Sequence, residues 1–297
     1  MSRTRSIPSG LLNLNKPAGP TSREVVDVVQ RLARPAKVGH TGTLDPLASG
    51  VLVVAVGAAT RLVEYVQQTR KRYRGTFLLG RRSPTEDVQG EVTLLENAPL
   101  PAAEQVRAAA GALLGRIEQR PPAYSALKVG GRRAYELARQ GQHVELAARP
   151  VTIYAIDVSR YAYPEMVLEV ESSGGTYIRS LGRDLAQSLG TEAVMSALVR
   201  TAVGPFRLEE ALDPGTLTGE NLAAHLLPML RAVEALPRVV LSDAELARVR
   251  NGLAIRREPP APDAGEIAAV DGRGRLAAIL CPRGAGLLGP LRNLATE

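Results

Sequence analysis

Asp45 is the one carboxylate in a stretch that runs ten residues to either side of it. It sits in GHTGTLDPLASG, Gly39–Gly50, where four of twelve residues are glycine or proline (Gly39, Gly42, Pro46, Gly50). Such residues set backbone conformations that ordinary turns rarely need. VLVVAV follows at once, Val51–Val56, an apolar β-branched run that predicts a fully buried strand. A carboxylate on a tight loop leading into a core strand is held rigidly, as a nucleophile or a general base must be. Asp before Pro is also an ordinary turn signal, with the side chain capping the local backbone, so Asp45 alone names no reaction.

Two further groups could work with it. Between Arg70 and Arg82 there are six basic residues (Arg70, Lys71, Arg72, Arg74, Arg81, Arg82) and no acid, with Tyr73 in the middle. Basic side chains around an aromatic on a strand suit an RNA backbone with a base stacked on the ring. A solvated basic edge strand reads the same way. The second group is SSGGTYIRS, Ser172–Ser180. Its Gly174-Gly175 pair lets backbone approach a ligand and opens a helix carrying Tyr177 and Arg179. Arg179 and Arg183, four apart, share one helix face. An arginine near a helix start is disfavoured by the dipole, which a carboxylate or phosphate partner would offset. A glycine turn before a helix with solvated arginines is the plain alternative.

The elements that must position these residues follow from periodicity. LLNL, Leu11–Leu14, predicts a short strand running into the turn KPAGPTS, Lys16–Ser22. Thr21 and Glu24 are spaced as a capping box, and Val25, Val28, Val29 and Leu32 continue a helical stripe that Pro35 stops. A helix is predicted through Leu62, Tyr65 and Val66, and strands at 73–80, 91–95, 151–158, 166–172 and 194–203. Residues 102–114 and 176–190 are helical, the latter with a glycine stop. Strands and helices mix without a strict βαβ rhythm. The fold class is therefore α+β, with a mixed sheet flanked by helices. From Pro237 onward there is no aromatic residue. A capped helix, LSDAELARVRNG, and short strands between Gly/Pro turns there have the rhythm of a small appended β-barrel.

Composition narrows the function classes. At 297 residues, 45% hydrophobic and 23% charged, the chain is long enough for two ordinary globular domains. A formal net charge of +7 suits an acidic partner such as nucleic acid. One cysteine, Cys281, excludes an intramolecular disulfide framework. With only three scattered histidines (His40, His143, His225), a Cys/His metal site is not expected. There is no signal-peptide core and no run of roughly 18 apolar residues, so a cytoplasmic protein without a membrane partner is expected. Neither a P-loop nor a dinucleotide fingerprint is present, and no cofactor is expected.

Taken together, GHTGTLDPLASGVL, KRYRG and GGTYIRS, with KPAGPTS upstream and YSALK (Tyr124–Lys128) between, resemble the TruB family of bacterial tRNA pseudouridine-55 synthases. The likeness covers about residues 10–206, with five motifs in the family's order. The C-terminal stretch is similar, more loosely, to a PUA domain. The resemblance implies a catalytic domain over 1–236, with a mobile RNA-binding insertion at about 121–149, and a PUA-like module over 237–297. It implies isomerisation of uridine 55 in the T-loop of tRNA, on the T-arm at the elbow, by a monomer with no protein partner. Asp45 then matches the nucleophile, Tyr73 the tyrosine that stacks on the base and transfers a proton, and Arg179 the arginine paired with the aspartate. Tyr177 and Leu198 match base contacts, His40 a residue holding the opened T-loop, and Lys16 one structuring the pocket. Arg72, Arg74 and Lys128 join them as substrate-binding residues. One departure is Gly174, where many members carry lysine.

That chemistry suits these residue types. A base stacked inside a folded tRNA must be extruded before a side chain reaches it. A carboxylate nucleophile must be ionised, and an adjacent guanidinium favours the charged form. Two other readings stay open on residues alone. One is a non-catalytic RNA-binding or RNA-folding protein. The other is an aspartyl phosphotransferase, which would gather further carboxylates around magnesium.

Overall fold

The computed structural model describes residues 7–125, 127–129, 131–142, 146–260 and 264–294. In chain order the first part runs β1 (Gly10–Lys16), α1 (Ser22–Leu32), β2 (Val38–His40), β3 (Ser49–Val56), a 3-10 turn over Gly57–Leu62, α2 (Val63–Gln68) and β4 (Lys71–Leu79). A two-residue hairpin, β5 (Arg81–Arg82) and β6 (Thr93–Leu94), precedes α3 (Ala103–Gly111) and β7 (Gly115–Gln119). The segment read as an insertion carries β8 (Lys128–Val129), β9 (Arg132–Arg133) and α4 (Ala134–Arg139). Then come β10 (Arg149–Ala162), β11 (Glu165–Ser172), α5 (Ile178–Ser188), β12 (Ala193–Val203) and β13 (Phe206–Arg207). The C-terminal part holds β14 (Arg238–Val240), α6 (Asp243–Arg250), β15 (Ile255–Arg256), β16 (Ile267–Val270), β17 (Leu276–Pro282) and β18 (Leu287–Asn293).

The main sheet has nine strands in the order β1-β3-β12-β4-β11-β10-β7, with β2 on β3 and β13 on β12. Its pairings are antiparallel except β12 with β3, which run parallel, so the expected mixed α+β sheet is present. β3 is buried along nearly its whole length, as its unbroken apolar run predicts. Val51, Val53 and Ala55 point to one core cluster, and Leu52, Val54 and Val56 to another under α1. Strand periodicity alone produces that split. α1 starts where its capping box places it: Thr21 Oγ1 accepts from the Glu24 amide at 3.2 Å and the Glu24 carboxylate accepts from the Thr21 amide at 2.7 Å.

α3 and α5 pack on the sheet over Phe77, Met166 and Leu168, with Leu185 of α5 in the same cluster. α5 comes unusually close to β4 because residue 182 is glycine; a Cβ there would overlap the Phe77 ring. The predicted strand at 91–95 shrinks to two exposed residues, since only β5 pairs with it. The helix predicted from Thr176 starts at Ile178. The C-terminal strands form a separate five-stranded sheet, β14-β16-β17-β18-β15, which fits the expected small β module as a curled half-barrel. Among the described residues no helix is long and apolar enough to cross a membrane.

Candidate active site

The Asp45 loop joins β2 to β3, and neighbouring elements hold its carbonyls one after another. Arg200 of β12 donates through Nη2 to Gly42 O at 3.0 Å, through Nη1 to Thr43 O at 3.4 Å and through Nε to Val51 O at 2.7 Å. Ser22 Oγ, at the start of α1, accepts from the Leu44 amide at 2.8 Å and donates to Leu44 O at 3.1 Å. Lys16 Nζ donates to Pro17 O at 2.8 Å, Pro20 O at 2.7 Å and Pro46 O at 3.4 Å. Gly50 takes a φ of +104°, and a Cβ there would lie 2.8 Å from Arg200 N and closer still to its carbonyl oxygen. The close packing of β3 on β12 therefore requires glycine at this position.

This frame delivers Asp45 to Arg179, in the first turn of α5. Arg179 Nη2 donates to Asp45 Oδ1 at 3.2 Å, and Nε approaches Oδ2 to 2.9 Å without the alignment of a hydrogen bond. Arg179 is 5% exposed and Asp45 32%, so the arginine is sealed in while the carboxylate keeps an open face. Nη1 donates to Thr85 O at 2.7 Å, Nη2 to Tyr124 O at 3.0 Å, and Asp87 Oδ2 lies 3.8 Å from Nη1. Two carboxylates and two carbonyls thus offset both burial and an unfavourable helix-start position.

Asp45 and Arg179 line a cavity of about 370 Å³, with Tyr73, Tyr177 and Leu198 on its walls. β4 brings Tyr73 there opposite Arg200 of β12, and Leu198 stands opposite Gly75. Tyr177, the residue before α5, has its backbone clamped by the Gln119 side chain at 2.8 and 3.0 Å. Arg149 lies 5.1 Å above its ring. Among the described residues four cations (Lys71, Arg149, Arg179, Arg200) and one carboxylate line this cavity, so it favours an anionic ligand.

A family model described as TruB family pseudouridylate synthase (N terminal domain) matches residues 30–178. The chain is 43% identical, over 96% of both sequences, to tRNA pseudouridine synthase B of Dehalococcoides mccartyi. This chain belongs to the TruB family. A second TruB relative, tRNA pseudouridine synthase B of an Arthrobacter species, is 45% identical over 82% of this chain and 81% of its own. In three dimensions the chain is similar to one in an H/ACA RNP bound to a substrate RNA containing 2′-deoxyuridine. That match has a TM-score of 0.72 and 26% identity, over 97% of this chain and 85% of the other. It is likewise similar, at a TM-score of 0.72 and 25% identity, to a chain of the archaeal box H/ACA sRNP Nop10-Cbf5 complex, over 98% and 87%. The TruB kinship makes the chain a pseudouridine synthase, an isomerase.

The remaining residues singled out by the TruB resemblance take other places. Lys16 is fully buried behind the Asp45 loop; burial lowers its pKa to about 8, with Asp45 acting in the opposite direction. His40, on β2, is not among the cavity-lining residues. Its Nδ1 is buried without a hydrogen-bond partner among the described residues, and burial, then Arg200, lowers its pKa. Arg72 and Arg74 do not reach the cavity. Strand alternation turns them to the opposite face from Tyr73, where they meet Glu171 at 2.9 Å and Glu169 at 2.5 Å directly across on β11. The Lys128 side chain lies outside the described residues.

Three residues at the site, Lys71, Arg200 and Asp87, were given no individual role from the sequence. Lys71 sits inside KRYRG and Arg200 inside the strand predicted at 194–203, yet their role lies in filling the cavity wall and holding carbonyls. Burial, with Arg200 adding to it, lowers the Lys71 pKa to about 8 while its ammonium donates to the Val66, Gln67 and Thr69 carbonyls. Asp87 belongs to the first acidic pair after the basic run, the one local signal that could have marked it.

Proposed function

We propose that this chain converts uridine 55 in the T-loop of tRNA to pseudouridine, with Asp45 as the nucleophile acting on a flipped-out nucleotide. The observation that carries the reading is the Asp45–Arg179 pair: one partly open carboxylate, fixed by a sealed guanidinium, in a cavity walled by Tyr73, Tyr177 and Leu198. The names of its relatives support tRNA as the substrate. A cavity of about 370 Å³ accepts one nucleotide, near the lower end of the ~300–1,000 Å³ usual for small-ligand sites, and not a stacked helix. The base must therefore leave its stack to enter.

Each residue then has a task. Tyr73 and Leu198 sandwich the uracil and keep it in the pocket after the C1′–N1 bond breaks, so that it rotates without escaping. Asp45 attacks the nucleoside, and Arg179 keeps its charge and direction. Tyr73 handles proton transfer as C5 bonds to C1′. The product keeps every atom of the substrate, one proton having moved from C5 to N1. Lys16 and Arg200 hold the loop that aims Asp45. Residues 237–297 act as a PUA-like RNA-binding module, and the segment at about 121–149 closes over the T-loop. The enzyme works as a monomer.

Incubation with unmodified tRNA, followed by pseudouridine-specific chemical mapping, tests the reading. Product is expected at position 55 of the wild-type reaction and none from Asp45→Asn. Normal turnover by that variant would remove Asp45 from its role. Binding without product in the wild type would favour an RNA-folding protein.

A further inference from the structure

Arg179 aims Asp45 and is itself held in place by neighbouring residues. Besides Asp45 and Tyr124 O, its partners are Thr85 O and Asp87, two residues of the loop Ser83–Gln89 that follows β5. Asp87 is buried, and its Oδ1 accepts from Thr85 Oγ1 at 2.6 Å and from the Gln89 amide at 3.0 Å, so the loop is tied within itself. Between those two residues stands Glu86, and it behaves differently. Its φ is +61°, the left-handed region that a residue with a long side chain rarely enters. A residue held there is over-determined by its surroundings.

Those surroundings are specific. The Glu86 carboxylate accepts from Ser180 Oγ at 2.9 Å and pairs with the Arg183 guanidinium. Ser180 and Arg183 are one and four places after Arg179 on α5. The Glu86 carbonyl accepts from the Met195 amide at 3.0 Å, which fixes the loop to β12. Arg183 also donates to Arg120 O at 2.9 Å and pairs with Asp184 at 2.7 Å. Three consecutive loop residues therefore grip one stretch of α5: Thr85 and Asp87 take Arg179, and Glu86 takes Ser180 and Arg183. Glu86 and Arg183 are 15% and 17% exposed. A buried ion pair gives little net stability over an apolar pair of the same volume, so this one points to placement of the loop rather than to strength.

We propose that Glu86 is a positioning residue for catalysis. It locks the 83–89 loop to α5, so that Thr85 O and Asp87 hold the Arg179 guanidinium against Asp45. The proposal rests on Asp45 and Arg179 being the reacting pair described above.

Full-length Glu86→Ala, Glu86→Gln and the double variant Glu86→Leu/Arg183→Met test it. Glu86→Ala should lower kcat on tRNA about tenfold, short of the ~100-fold that ångström-scale misplacement costs. Its Kd for tRNA should stay within about twofold of wild type. Glu86→Gln, which keeps acceptor oxygen and shape, should restore most of kcat. The double variant removes both charges of the Glu86–Arg183 pair but leaves the partly exposed Asp184 without its arginine partner; its Tm should rise above that of Glu86→Ala while its kcat stays low. Exchange of the Arg179 Nε proton with water, read by 15N NMR on the free enzyme, should quicken in Glu86→Ala. Unchanged kcat in Glu86→Ala, recovery of kcat in the double variant, or unchanged Arg179 exchange would each overturn the proposal. If wild type forms no pseudouridine, the functional reading fails, and the exchange measurement still decides whether Glu86 holds Arg179.

Discussion

Lys16 is among the largest fully buried side chains of the described residues, and its ammonium donates its hydrogen bonds to carbonyl oxygens. Burial brings its pKa to about 8, against 10.5 for an ordinary lysine, and Lys71 shares that displacement. Between those two values the unfolded chain binds more protons than the folded one, so stability must rise with pH across that window. Unfolding free energy measured by denaturant from pH 8 to 10 should climb, and Lys16→Met should flatten the slope. A slope that is unchanged in the variant would remove Lys16 as its source. At this scale Asp45, Tyr73 and Arg179 stood out by residue type and setting, and Leu198 and the part played by Tyr177 through the TruB resemblance; all five line one cavity. Arg72 and Arg74 show the limit. A basic run looks like one surface until strand alternation divides it between two faces. Arg200 shows the converse, an ordinary strand arginine whose work depends on a loop about 150 residues earlier.

Elements carry the next constraint, because the Asp45 loop is only as fixed as the strand it enters. Gly50 and Arg200 are register partners where β3 and β12 run parallel, and no side chain fits between them. Gly50→Ala adds both a left-handed strain and an overlap with backbone, each worth about 1–3 kcal/mol. The variant should lose at least ~2 kcal/mol by chemical denaturation, and its kcat should fall because the loop carbonyls leave Arg200. A variant with wild-type stability would show that β3 can move away from β12 freely. Local signals predicted the elements well where they are chemical punctuation: the capping boxes of α1 and α6 both form, and α5 stops before Gly190. Strand order was not legible. β12 comes late in the chain yet lies between β3 and β4, a non-local pairing that no short pattern encodes.

For the molecule as a whole, the loss of aromatics at Pro237 suggests a boundary, but the core does not stop there. Leu62, Val66, Phe206 and Val233 share one buried cluster with Ala268, Val270, Leu276 and Ile279 of the C-terminal sheet and with Leu294 just after it. Polar contacts run along the same seam: Tyr65 Oη donates to Glu266 Oε2 at 2.6 Å, Arg292 pairs with Glu64 at 2.9 Å, and Arg61 donates to Asn293 O. Composition registers what each segment is made of, and a shared core depends on which faces meet, so the seam was invisible to it. The C-terminal part is therefore built into the stability of the part that carries Asp45. A chain cut after Leu236 would expose an apolar face that the full chain covers, and exposed patches of that kind promote association. Full-length protein should unfold in one calorimetric transition. The 1–236 fragment should melt at a lower temperature and bind a hydrophobic dye in its native baseline. Two separate transitions in the full chain, with an unshifted fragment Tm, would make the C-terminal sheet an independent attachment.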